Sequence, residues 1–105
     1  MSRELGNIGE DIACEILMNE GYEVIERNYC SRFGEIDIIT KLGKAIVFVE
    51  VKYKEDQGYG LPQEAVTKQK LRKIIKTAQF FLPENEFENS DWRVDVLAIA
   101  RENNN

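Results

Sequence analysis

Apolar and polar positions along the chain alternate with two different periods, and the changes of period mark out the elements. Ile8, Ile12 and Ile16 recur at four-residue steps, with Ala13 and Leu17 widening the stripe, so residues 7–20 read as a helix that Gly21 ends. Residues 22–29 read as a strand and Arg32-Phe33-Gly34 as a turn. Two strands follow at 35–40 and 44–53, joined as a hairpin through Lys41 to Lys44, a loop that sets Thr40 opposite Ala45 and Asp37 opposite Phe48. Gly58, Gly60 and Pro62 mark a loop, and Pro62 suits the first turn of the next helix. That helix runs to about Leu82, burying Leu71, Ile74, Ile75, Ala78, Phe81 and Leu82, and Pro83 stops it. After a polar loop from Glu84 to Asp91, residues 93–100 alternate as a fourth strand. The order α-β-β-β-α-β predicts an α/β fold with helices against a mixed sheet. The 105 residues suit one domain, with a frayed Asn103-Asn104-Asn105 tail.

Composition narrows the chemistry. The sequence contains no histidine, which removes Ser-His and Cys-His nucleophile pairs and histidine general bases. Its two cysteines, Cys14 and Cys30, cannot build an ordinary zinc site without histidine. Cys14 reads as a small buried hydrophobe, and a disulfide is not expected. No apolar run approaches the ~20 residues of a membrane helix and no secretory signal is visible, so the expected location is cytoplasmic.

The net charge of −5 opposes a polyanionic partner, but its distribution changes the picture. Residues 1–40 carry 3 basic and 9 acidic side chains, and residues 41–80 carry 9 basic and 4 acidic. Lys68, Lys70, Arg72, Lys73 and Lys76 fall in a stretch without acids. This asymmetry fits a basic face on an acidic protein, and equally an ordinary solvated helix face.

Three charges interrupt the apolar strands: Asp37 in one, Glu50 and Lys52 in the next. Such charges are costly to bury unless paired or bound to a metal. Glu50 and Lys52, two apart, share a face with Ile46 and Phe48, and the expected hairpin register sets Asp37 diagonal to Glu50. Two carboxylates that grip a hard cation, beside an ammonium, suit a magnesium-dependent phosphodiesterase. Glu10 is a fourth candidate, on the stripe of Ala13, Cys14 and Leu17. The bland reading is an ion-pair network without catalysis, which a lone Glu-x-Lys would favour.

Gly9-Glu10, Gly21-Tyr22, Arg27-Asn28, Gly34-Glu35-Ile36-Asp37, Phe48-Val49-Glu50-Val51-Lys52, Lys70 and Arg93-Val94-Asp95 together resemble the YraN family of small bacterial proteins. That family is similar to archaeal Holliday junction resolvases within the PD-(D/E)XK nuclease superfamily, whose core order is αβββαβ. The resemblance spans roughly residues 6–100 and implies a restriction-endonuclease-like core. It implies that Asp37 and Glu50 are metal ligands, with the Val51 carbonyl a third and Lys52 the catalytic lysine. Glu10 matches a helix glutamate that serves a second metal site, and Lys70 the polar position of the second helix. Mg²⁺, with Mn²⁺ able to substitute, is the implied cofactor, and DNA, branched DNA in particular, the implied substrate. Lys54, Lys68, Lys70, Arg72, Lys73 and Lys76 are the implied phosphate contacts; Lys54 stands where relatives often have arginine, which weakens bidentate recognition. Cutting a symmetric junction also implies a homodimer. Two other readings compete. One is a nucleic-acid-binding module that kept the fold without activity. The other is an interaction protein that uses an apolar face with Phe33, Tyr53 and Tyr59.

Overall fold

The structure is a computed structural model and describes residues 8–55 and 66–101, with the backbone alone at 54, 55 and 101. The elements follow in the order α1 (Ile8–Asn19), β1 (Glu23–Ser31), β2 (Gly34–Leu42), β3 (Ala45–Glu55), α2 (Lys68–Glu84) and β4 (Trp92–Arg101). This is the αβββαβ arrangement that the hydrophobic periods predict. The sheet order is β1-β2-β3-β4, with β1 to β3 antiparallel and β4 parallel to β3. The parallel pair needs a crossover, and α2 lies within it.

One helix packs on each face. Ile46 and Phe48 of β3 join Ile36, Ile39 and α2 residues Ile74, Ala78, Phe81 and Leu82 in one core. Val47 and Val49 face the other way, against Ile38 and α1 residues Ala13, Cys14 and Leu17. Both faces of β3 are therefore covered, which explains its nearly unbroken β-branched run.

The details depart from the sequence reading in four places. On α1 the isoleucine stripe is not the buried one: Ile8, Ile12 and Ile16 are 43%, 37% and 39% exposed, and Gly9, Glu10, Ala13, Cys14 and Leu17 turn inward. Small side chains at 9, 13 and 14 let the helix sit close to the sheet, which three bulky isoleucines would prevent. On α2, Leu71 is exposed and Thr77 takes a buried place instead, its hydroxyl donating to the Lys73 carbonyl at 2.8 Å. The helix starts at Lys68, where the Thr67 hydroxyl accepts from the Lys70 amide at 3.1 Å, and Pro83 lies inside its last turn. The Gly58, Gly60 and Pro62 positions lie outside the described residues.

The fourth difference concerns register. Leu42 pairs with Ala45 and Ile39 with Phe48, so the hairpin connection is Gly43-Lys44 alone. Gly43 has φ +61°, which suits the first position of a two-residue hairpin turn. The slip from the expected pairing is two residues. Because side chains alternate with period two, an even slip leaves the paired residues from Ile38 to Leu42 on the faces that the expected register gives them.

Candidate active site

Asp37, Glu50, Lys52 and Lys70 come together where β2 and β3 part. The β2–β3 ladder ends at Ile38 and Val49, while β3 continues alongside β4 to Glu55. Beyond that fork the Val51 amide has no backbone partner from β2. It donates to Asp37 Oδ2 at 2.8 Å instead, so the carboxylate substitutes for a missing rung of the ladder.

β2 is irregular at the same point. Strict alternation would set Ile36 with Ile38, yet Ile36 packs with Ile39 on the α2 side and Ile38 on the α1 side. Opposite, in β1, Asn28 has φ +54° inside a strand. Its flanking residues pair normally, Arg27 with Ile38 and Tyr29 with Ile36, which leaves Asn28 facing Asp37 across the distortion. Asparagine tolerates the left-handed conformation better than most residues. Asn28 marks a distortion that strand patterning alone misses; its signal is an asparagine within a strand, where that residue is depleted.

Glu50 is 4% exposed and projects to the α2 side. Two lysines neutralise it: Lys70 Nζ lies 2.6 Å from Oε2, and Lys52 Nζ lies 3.3 Å from the same oxygen. The Lys52 contact confirms that the two residues share a face of β3. The Lys70 contact depends on the first turn of α2, which Thr67 caps. Burial alone would lower the Lys70 pKa, but hydrogen bonding to Glu50 and the fields of Glu50 and Asp37 hold it above the ordinary lysine value.

Burial pushes the Asp37 carboxyl up to about 6. The Val51 amide opposes this shift, while the neighbouring Glu50 and Glu10 carboxylates reinforce it. The Asp37 and Glu50 carboxylates lie near enough for the field of one to raise the proton affinity of the other. That crowding is what a divalent cation relieves. A Mg²⁺ ion commonly takes one or two carboxylates and keeps several waters, and Asp37 with Glu50 fits that donor set.

Glu10 stands one step back. It is nearly buried on the sheet side of α1, with Oε1 3.5 Å from Arg27 Nη2. Arg27 Nη2 also donates to Asp11 Oδ1 at 2.7 Å. Glu10 still reaches Asp37 through its field, but no group of three metal-ligating side chains converges among the described residues.

Lys68, Arg72, Lys73 and Lys76 are exposed along α2. Lys70 and Lys73 line a cavity of about 370 Å³ with Gly34, Glu35, Thr67, Gln69 and Ile74. The Lys54 side chain lies outside the described residues, as does Tyr59. The two described members of the expected apolar face do not share one. Phe33 meets Phe80 of α2 at 6.3 Å between centroids, whereas Tyr53 packs under Gly9 of α1 on the opposite side. The two cysteines form no disulfide, Cys14 being buried and Cys30 exposed. No helix among the described residues is long and apolar enough to cross a membrane.

A mixed four-stranded sheet with a helix on each face, and acids and lysines gathered where its central strands fork, is an α/β fold with a charged site at its middle. Residues 9–99 match the uncharacterised protein family UPF0102, the YraN family, to which this chain belongs. A UPF0102 protein of Persephonella marina is 49% identical over 98 residues, covering 93% of this chain and 84% of its own. One from Fusobacterium nucleatum is 41% identical over 97 residues, covering 92% and 82%. One from Caldicellulosiruptor saccharolyticus is 43% identical over 97 residues, with the same coverage.

Proposed function

We propose that this protein is a metal-dependent endonuclease that hydrolyses phosphodiester bonds of DNA, branched or junction DNA foremost. The observation that carries the reading is the buried Glu50 carboxylate, held between two lysines and beside a second carboxylate whose proton affinity is raised. A structural ion pair needs one carboxylate and one lysine; a second acid whose pKa is pushed to about 6 costs stability and points to chemistry.

In this reading Asp37 and Glu50 hold the cation, Mg²⁺ or Mn²⁺, and Glu10 supports them from α1. The bound ion supplies Lewis acidity at the phosphoryl oxygen and a more acidic water. Lys52, on the same face of β3 as Glu50, presents an ammonium to the charge that builds on the phosphate. Lys54, Lys68, Lys70, Arg72, Lys73 and Lys76 contact backbone phosphates, giving affinity without sequence readout.

The test is cleavage of labelled four-way junction, duplex and single-stranded DNA with Mg²⁺ or Mn²⁺, beside Glu50→Ala and Lys52→Ala. Metal-dependent cutting that both substitutions abolish supports the nuclease, and a preference for the junction supports the branched substrate. DNA binding with no turnover on any of the three refutes it and leaves a nucleic-acid-binding module on the same fold.

A further inference from the structure

Glu50 cannot serve Lys70 and a cation at full strength together. The Lys70 ammonium sits 2.6 Å from Oε2, the oxygen that Lys52 also approaches at 3.3 Å. The two lysines differ in freedom. The Lys52 side chain is 17% exposed and anchored in a central strand, whereas that of Lys70 is 42% exposed at the start of a helix. Lys70 also lines the cavity of about 370 Å³ whose wall carries Lys73, Gln69 and Thr67. Its long stem therefore has two destinations, the buried carboxylate and an open hollow with a second ammonium beside it.

We propose that Lys70 is the resident counter-ion of Glu50 in the metal-free protein, and that a divalent cation held at Glu50 would release its ammonium into this cavity, where Lys70 and Lys73 together form an anion subsite with the charge to hold a phosphate group. The exchange couples the two ligands. A cation at Glu50 creates the anion subsite, and an anion that holds Lys70 away leaves Glu50 free for the cation. The Glu35 carboxylate on the same wall opposes an anion until Lys70 arrives, which sharpens the dependence on the cation. The inference rests on the metal-binding role proposed for Glu50 and is independent of turnover.

The experiment is calorimetric titration of the whole chain with Mg²⁺ and with Mn²⁺, without nucleic acid, for wild type, Lys70→Gln, Lys70→Arg and Lys44→Gln. Lys44→Gln, in the distant Gly43-Lys44 turn, makes the same change in net charge. The exchange predicts that Lys70→Gln binds the cation at least ~5-fold more tightly than wild type, with Lys44→Gln unchanged and Lys70→Arg no tighter. Inorganic phosphate, titrated with and without Mg²⁺, should bind wild type better when the cation is present, and Lys70→Gln and Lys73→Gln should lose that gain. Equal cation affinity in wild type and Lys70→Gln overturns the exchange, as does a phosphate gain that survives Lys70→Gln. No cation binding by any variant overturns both the exchange and the metal site. Tight binding without DNA cleavage overturns only the nuclease reading.

Discussion

Gly9 lies so close to Tyr53 that a Cβ built on the glycine would stand 2.5 Å from the tyrosine Cβ. Neither atom can move without its backbone, since a Cβ is fixed to the main chain. The contact sets the distance of α1 from β3, and Glu10 is the next residue along the helix. Gly9→Ala should therefore cost about 1–3 kcal/mol despite alanine's better helix propensity. Thermal unfolding would show it; a variant as stable as wild type would mean that this contact does not position α1.

Asp37 gives a pH dependence with a definite sign. Its folded pKa of about 6 lies above the ordinary 3.8, so the protonated group favours the folded state. That contribution is complete below pH ~4 and is lost as pH rises through about 6. Allowing for partial exposure, it is about 1–2 kcal/mol. Asp37→Asn keeps an acceptor for the Val51 amide and removes the titration. In chelator at pH 7 the variant should melt a few degrees higher than wild type, and near pH 4 the difference should vanish. Adding Mg²⁺ should raise the wild-type melting temperature and not that of Asp37→Asn.

Asn28 supplies a test of the fork itself. At φ +54° a residue with a Cβ other than asparagine or aspartate is strained, so Asn28→Ala should cost about 1 kcal/mol. Asn28→Gly should be neutral or stabilising if the backbone conformation is what matters. Chemical denaturation of the two variants separates these outcomes, and equal losses would assign the effect to the side-chain amide.

Lys52 and Lys70 contact the same oxygen, and their stability effects should differ from their effects on activity. Lys52→Ala leaves Glu50 its nearer partner, so unfolding should change by no more than about 1–2 kcal/mol. DNA cleavage should nevertheless fall ~10²–10³-fold, the usual effect of removing one group that stabilises developing charge. Parallel melts and single-turnover assays would check the pair of expectations. A small stability loss with full activity would remove Lys52 from the chemistry.

The exposed row Lys68, Arg72 and Lys76 should act on DNA only through charge. Replacing all three by glutamine should reduce the slope of log affinity against log salt by about 0.9 for each duplex phosphate that the variant no longer neutralises. Fluorescence anisotropy across a salt series measures that slope. An unchanged slope would place the DNA path elsewhere.

Much of this site is legible from local pattern. The period of two in β3 puts Glu50 and Lys52 together whatever the tertiary structure, whereas Asp37 lies past the end of the paired register, in the irregular part of β2, and is brought to the site by its bond from the Val51 amide. What fails is any judgement between two equally periodic alternatives. On α1 the isoleucine stripe and the small-residue stripe are both valid helical faces, and only the close approach at Tyr53 selects the second. Leu71 and Thr77 differ for a related reason: the Thr77 hydroxyl bonds its own helix and meets Ser31, so burial leaves it satisfied. The Lys70 contact and the Asn28 distortion are long-range, set by where α2 starts and where β2 leaves β3, and no window along the chain contains them.

The two helices charge opposite faces of the sheet differently. Exposed Asp11 and Glu15 mark the α1 side, while Lys68, Arg72, Lys73 and Lys76 mark the α2 side. Among the described residues of the two helices, the exposed cations therefore gather along α2, on a chain whose net charge is −5. The net charge would repel the proposed polyanionic substrate at long range, and nearer the exposed α2 cations would attract it. Within a Debye length of about 8 Å at physiological ionic strength the near cations outweigh the distant acids. For the DNA substrate proposed above, the α2 side would thus be the face that leads, and the fork between β2 and β3 would be reached from there.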